Sequence, residues 1–343
     1  MHPKLILPVL IFFLFSACAI LTKNKVVTEI LVEYDAKANV NYNQGIPIKV
    51  FAVTADGKHK NITGHDDLTC SVTGGSFKNK ALYPVSNPTN WNDNSIKATF
   101  SFPYNDKVFA SIVELPYNYK GQLALNYQGE PGPEGRKGSR GKLNTLTRDG
   151  VDGNVAEPGQ SGQNGHDLII NIWKENKIYF WRINNTTTGI VHCYKSSDKT
   201  SSYSINCSGG DGGNGGKGGN GRDGKDGENK DGKIKEVGDG GNGGNGGNGG
   251  NGGNGGSVFI FIHPNADGIQ SKIKITNGAG IAGTPGAGGK AGTPGKPLEG
   301  QTAGKPGTAG FNGEAGISGT AGPTPVKSVE AFDIALIKSS ITN

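Results

Sequence analysis

Few residues in this chain have the types and spacing that could do chemistry. His65-Asp66-Asp67 sets an imidazole beside two carboxylates, the makings of an acid/base pair or a metal site. Its place between short alternating segments reads as a polar surface loop instead. His192 lies beside Cys193 in an alternating segment, where packing accounts for it. Cys193 and Cys207 sit symmetrically about a turn near Asp198 to Ser201, so they could pair in an oxidising compartment. Cys70 is then left over as a small buried residue. No metal spacing links the cysteines. Glycine-rich stretches lack the Gly-Lys-Ser/Thr ending of a phosphate loop, and no Ser/His/Asp arrangement has motif support. The expectation is a non-enzyme with no catalytic residue, no metal and no cofactor. Trp91, Trp173 and Trp181 could act as platforms for sugar rings, although core packing is the expected role of Trp173 and Trp181.

The elements that would position such residues are unusual. The 343 residues include 59 Gly and 17 Pro, and only 33% are hydrophobic, too few to fill an ordinary globule of this length. No apolar period of 3.6 runs far enough for long helices. Apolar residues alternate in short bursts, which argues an all-β chain plus something built on glycine. The net charge of +6 is spread among acids and is not striped with aromatics, so nucleic acid is not an expected partner.

Residues 1–18 read as an export signal, with Lys4 ahead of an apolar stretch from Leu5 to Phe15. That stretch is too short to span a bilayer. It ends Phe15-Ser16-Ala17-Cys18, which resembles the lipobox of bacterial lipoproteins. The resemblance implies lipidation at Cys18, a membrane anchor and an exported chain at the outer membrane or cell surface. Ordinary cleavage at Ala17-Cys18-Ala19 is the alternative.

Residues 24–128 read as a β-sandwich of short alternating strands separated by turn residues such as Ala55-Asp56-Gly57 and Tyr104-Asn105-Asp106. The stretch Phe51-Ala52-Val53-Thr54-Ala55-Asp56-Gly57-Lys58, followed by Asn61-Ile62-Thr63, resembles bacterial immunoglobulin-like domains. These are usually spacers or binding modules.

From Gly129 to Gly322 glycine returns at every third position in six runs, with Ala156 substituting once: 129–141, 150–165, 209–227, 238–256, 280–295 and 304–322. The fourth run is Gly-Gly-Asn throughout after Asp239, with Gly238, Gly241, Gly244, Gly247, Gly250, Gly253 and Gly256 as its structural glycines. Every third residue lies on one edge of a left-handed helix with three residues per turn, where glycine admits another backbone. The runs are short and poor in proline, so a folded-back bundle is preferred to a three-chain collagen helix. A monomer is expected, or a trimer if the chain is collagen-like. Insertions 166–208 (four strands) and 257–279 (a hairpin) hold even numbers of strands, so they collect at one end with a last strand within 323–343. The loops 142–149, 228–237 and 296–303 collect at the other end. Nineteen residues at about 3.1 Å each give a shaft of roughly 60 Å. The fold expected is an N-terminal β-sandwich followed by six antiparallel glycine rods with β insertions.

The period resembles bacterial collagen-like surface proteins, the glycine-rich tips of phage tail-fibre adhesins and the snow flea antifreeze protein, a bundle of six polyglycine-II-type helices. Gly218-Gly219-Asn220-Gly221-Arg222-Asp223 partly matches the calcium-binding nonapeptide of β-roll toxins, but Lys225 stands where a hydrophobic residue belongs. The function expected is a structural or adhesive surface protein, its distal loops meeting an unknown surface or matrix ligand. Alternatives are ice binding, for which Thr284, Thr293, Thr308 and Thr320 are the hint while Lys290, Lys305 and Glu314 count against it, and a carbohydrate-binding module.

Overall fold

The computed structural model describes residues 25–38, 40–42, 44–92, 94–142 and 147–341. The signal segment and Cys18 lie outside the described residues. The structure is mostly β, with almost no helix. Its contacts divide it into two units. One holds the described residues up to Ser86 with those of Asn92–Tyr119; the other holds Asn87–Trp91 and those from Lys120 onward.

The first unit contains β1 (Val27–Tyr34), β2 (Ile46–Thr54), β3 (His59–Asn61), β4 (Thr69–Thr73), β5 (Gly75–Lys78), β6 (Ala81–Pro84), β7 (Ser95–Tyr104) and β8 (Lys107–Pro116). They form a sheet ordered β1-β2-β6-β5, with β3 on β2, and a sheet ordered β4-β7-β8. Alternation explains both. Ile46, Ile48, Val50 and Ala52 of β2 are buried while Pro47 and Lys49 between them are exposed. Ile96, Ala98, Phe100 and Phe102 do the same on β7. Phe77 of β5 meets Phe100 edge-on, with ring centroids 5.2 Å apart.

The second unit contains β9 (Leu123–Asn126), β10 (Leu168–Glu175), β11 (Ile178–Asn185), β12 (Ile190–Ser197), β13 (Tyr203–Asn206), β14 (Glu228–Lys230), β15 (Lys233–Lys235), β16 (Val258–Ile262), β17 (Ile273–Thr276), β18 (Val326–Val329) and a short helix α1 (Ile334–Ser339). One sheet is ordered β12-β11-β10-β16-β18 and another β17-β13-β9. Six of the strands that join glycine runs are mutually parallel within their sheet, β9, β13 and β17 in one and β10, β16 and β18 in the other, whereas β14 and β15 pair antiparallel. Buried Leu123, Leu125, Ile205, Leu168, Ile170, Ile172, Val258, Ile260 and Ile262 make the apolar base. Trp181 packs on Tyr203 between the sheets, 4.8 Å centroid to centroid.

Four expectations change here. The first unit ends near Tyr119, not at 128, because β9 pairs in parallel with β13. Residues 257–279 do not form a hairpin, because β16 joins β10 and β18 while β17 joins β13. The last strand is β18 alone, and the residues after it turn into α1, whose first turn is capped by the Asp333 carboxylate accepting from the Leu336 N–H at 3.0 Å. Cys193 and Cys207 are free buried thiols, not a disulfide. The hairpin that would have set them side by side does not exist: Cys193 lies on edge strand β12, and Cys207 follows β13 in the other sheet.

Candidate functional site

The glycine runs bond to one another in a fixed scheme. Each run from the second onward donates from every third backbone N–H to the run before it, antiparallel. Gly247 to Gly216 and Gly286 to Gly247, both 2.9 Å, are examples. Runs one to four also donate from a second N–H in each triplet to the run two places later, in parallel. Gly135 to Asn214 and Gly159 to Asn248, both 2.8 Å, are of this kind. Runs three and four therefore each touch four others. The strands below keep the same registers: Leu168 pairs with Val258 as Asn164 bonds Asn254, and Tyr203 pairs with Ile273 as Asp211 bonds Ile281.

In many triplets a third N–H has no backbone partner, and an Asn or Asp side chain takes it. Oδ1 of Asp239, Asn242, Asn245, Asn248, Asn251 and Asn254 accepts from the backbone of Lys305, Thr308, Phe311, Glu314, Ile317 and Thr320, at 2.7 to 3.0 Å. Asp211, Asn214, Asn220, Asp223 and Asp226 serve run five likewise. The hydroxyls of Thr284, Thr293, Thr308 and Thr320 donate to the same oxygens. This ladder was missed in the sequence, although its signal is plain: Asn or Asp at nearly every third position beside paired glycines.

Three loops meet at the end of the runs away from the base. Residues 228–237 form a hairpin of β14 and β15 about Asp231-Gly232, both at positive φ, the backbone a two-residue turn of this kind requires. Arg148, from the loop joining runs one and two, lies 3.7 Å from the Glu228 carboxylate and donates to the carbonyls of Asp226 and Glu236. Gln301, from the loop joining runs five and six, donates to the Lys235 carbonyl at 3.0 Å. The Lys235 ammonium bonds Glu228 at 3.2 Å, and it is the main reason the Glu228 carboxyl is held below its usual range. Ile234 of the hairpin stands 63% exposed.

The other singled-out residues fall elsewhere. Trp173 and Trp181 are fully buried, and their ring N–H groups donate to Glu175 and Ser196. Trp91 packs edge-on against Trp173 at 5.2 Å. Neither Trp173 nor Trp181 offers a free sugar platform, and Trp91 is half-buried. His65 leans edge-on against Phe102 and sits 3.6 Å from the Asp67 carboxylate in an exposed turn. His192 Nδ1 and the Tyr127 hydroxyl are hydrogen-bonded at 2.8 Å. Burial lowers the His192 pKa, raises that of Tyr127, and pushes the Cys193 and Cys207 thiols each up to about 12. Thiolate is therefore scarce at neutral pH, and neither cysteine is poised as a nucleophile. No family model, no curated protein and no solved structure matches this chain.

Proposed function

We propose that this chain is a non-enzymatic structural or adhesive protein of the bacterial cell surface, exported and lipid-anchored at Cys18. Its six glycine runs form a bundle of polyglycine-II-type helices on a β base. The first unit is an immunoglobulin-like sandwich acting as a spacer. The bundle carries the loops 142–149, 228–237 and 296–303 at its far end, where a surface or matrix ligand docks. The observation that carries this reading is the mutual bonding of those loops through Arg148, Glu228 and Gln301. A tip fixed to stiff supports presents side chains at little ordering cost on binding.

Beads bearing the full chain test the reading against immobilised matrix polymers such as mucin, collagen and fibronectin. At least one polymer should retain the beads, and Ile234→Asp should lower retention about tenfold without changing the melting temperature. Retention of no polymer, or retention unaffected by Ile234→Asp, would refute it.

A second reading, ice binding, is favoured by one observation and weakened by another. Ala282, Pro285, Gly288 and Ala291 of run five stand beside Ala309, Asn312, Ala315, Ser318 and Ala321 of run six. The Ala282 and Gly288 N–H groups donate across to Ser318 and Asn312. Lys290, Lys305 and Glu314 take the positions bonded to the Asn/Asp ladder, so this edge carries no charge. The threonine hydroxyls, however, are already engaged with the ladder. The adhesive reading expects no thermal hysteresis from the full chain, and a measurable gap between melting and freezing points would reverse the order of the two readings.

A further inference from the structure

A cleft of about 530 Å³ opens in the first unit between β2, β3 and the turn joining β5 to β6. That volume lies within the usual range for small-molecule sites, roughly 300–1,000 Å³. Its lining carries Lys49, Asn61, Thr63, Lys80 and Tyr83 but no Asp or Glu. Neither lysine forms an ion pair among the described residues. Lys25 and Lys58, outside the cleft, both pair with Asp56, at 2.9 and 3.4 Å.

The polar groups of the cleft are aimed by the backbone. Asn61 Oδ1 accepts from both the N–H and the hydroxyl of Thr63, at 3.0 and 2.7 Å. The Thr63 hydroxyl oxygen in turn accepts from the Val50 N–H at 2.8 Å. This fixes the amide with its oxygen occupied, leaving Nδ2 as a donor. Lys80 sits at φ +60°, in the left-handed region, and its ammonium lies against Gly64. The Tyr83 ring lies so close to Gly45 that a Cβ there would sit 2.7 Å from it. Two ammonium groups, a fixed amide donor and a tyrosine hydroxyl, with no carboxylate in the lining and Glu33 of β1 opposite Lys49 across the strand pair, suit an oxyanion with further hydroxyls attached.

We propose that this cleft binds an acidic saccharide of one or two rings, its carboxylate or sulfate lying between Lys49 and Lys80. The site is separate from the distal loops and does not depend on their role. The test is titration of the full-length protein with glucuronate, glucose 6-sulfate and glucose, followed by calorimetry and by the amide resonances of Val50, Asn61 and Thr63. Glucuronate, glucose 6-sulfate or both should shift those resonances, and glucose should bind at least about tenfold more weakly. Lys49→Ala and Lys80→Ala should each weaken binding about tenfold, while Lys58→Ala, outside the cleft, should not. Preference for glucuronate would identify a uronate ligand, and preference for the sulfate a sulfated one. Equal binding of glucose, no shift with either acidic sugar, or full affinity in both lysine variants would overturn the assignment.

Discussion

Gly247→Ala removes the cooperative melting of the second unit at its normal temperature, whereas Gly278→Ala leaves it in place. Gly247 lies in the fourth run with its N–H on the Gly216 carbonyl and its own carbonyl taken by the Gly286 N–H. A Cβ there would stand 2.5 Å from the Glu157 carbonyl carbon, nearer still to its oxygen, and 2.9 Å from the Pro158 nitrogen. All three are backbone atoms, so no rotamer change relieves the contact. Overpacking against side chains costs about 1–3 kcal/mol. Here runs two and four must also part, which strains hydrogen bonds worth about 1 kcal/mol each. A loss of about 3 kcal/mol or more follows, a large share of a domain's net stability of about 5–15 kcal/mol. For a unit of this size that lowers the melting temperature by about 6–12 °C. Gly278 lies outside the phase, and a Cβ there meets only the Ser208 hydroxyl, at 3.9 Å. Calorimetry on both variants decides the matter: equal effects would mean that the in-phase glycines are not packed against backbone as described.

That contrast marks what was legible in the sequence. Glycine phase can be read because a neighbour's backbone at the Cα leaves little room for a side chain, so every third position follows a rule of one residue type that only Ala156 breaks, itself buried and bonded to Asn245. Strand pairing could not be read in the same way. Val258–Ile262 and Ile273–Thr276 look like a hairpin locally, with Asn265-Ala266-Asp267-Gly268 between them, yet they enter different sheets. Their partners are set by the parallel bonding of runs two places apart, a relation spanning some ninety residues at Leu168–Val258 that no local turn signal carries. The same cause moves Leu123–Asn126 out of the first unit and separates Cys193 from Cys207. At the distal end the reverse happened. Asp231-Gly232 is a strong hairpin signal, but its strands are only three residues each and fully exposed, so no alternation announced them. The tryptophans were legible as core because the chain has few apolar residues to bury, and Trp173 and Trp181 sit on strands already rich in them.

Joint replacement of Asn245, Asn248 and Asn251 by Ala lowers the stability of the second unit by about 3 kcal/mol, and each single replacement by about 1 kcal/mol. Their side-chain oxygens hold the N–H groups of Phe311, Glu314 and Ile317 at 2.9 to 3.0 Å. Water can reach these exposed positions, which keeps the loss per site near that of an ordinary hydrogen bond. The sites stand about 9 Å apart along a three-residue repeat, far enough for the losses to add. Joint replacement by Asp separates the acceptor from the amide. An ionised carboxylate accepts the same N–H, so at neutral pH this variant should melt near the wild type, its like charges partly screened at a separation of about one Debye length. Asp223 already does this on the neighbouring run: it accepts the Thr293 N–H at 2.8 Å and hydroxyl at 2.9 Å, and those donors hold its pKa below the ordinary carboxylate value. A folded-state pKa that is lowered gives stability that is complete above the unfolded value, about 3.9, and fades as pH falls through the folded one. The Asp variant should therefore lose its melting temperature in acid while the Asn wild type, at these three positions, does not. Melting curves of the three proteins across that range separate the roles. If the Ala variant melted with the wild type, the six N–H groups facing the fourth run would be served as well by water, and the asparagines would be side chains that merely fit the outer face.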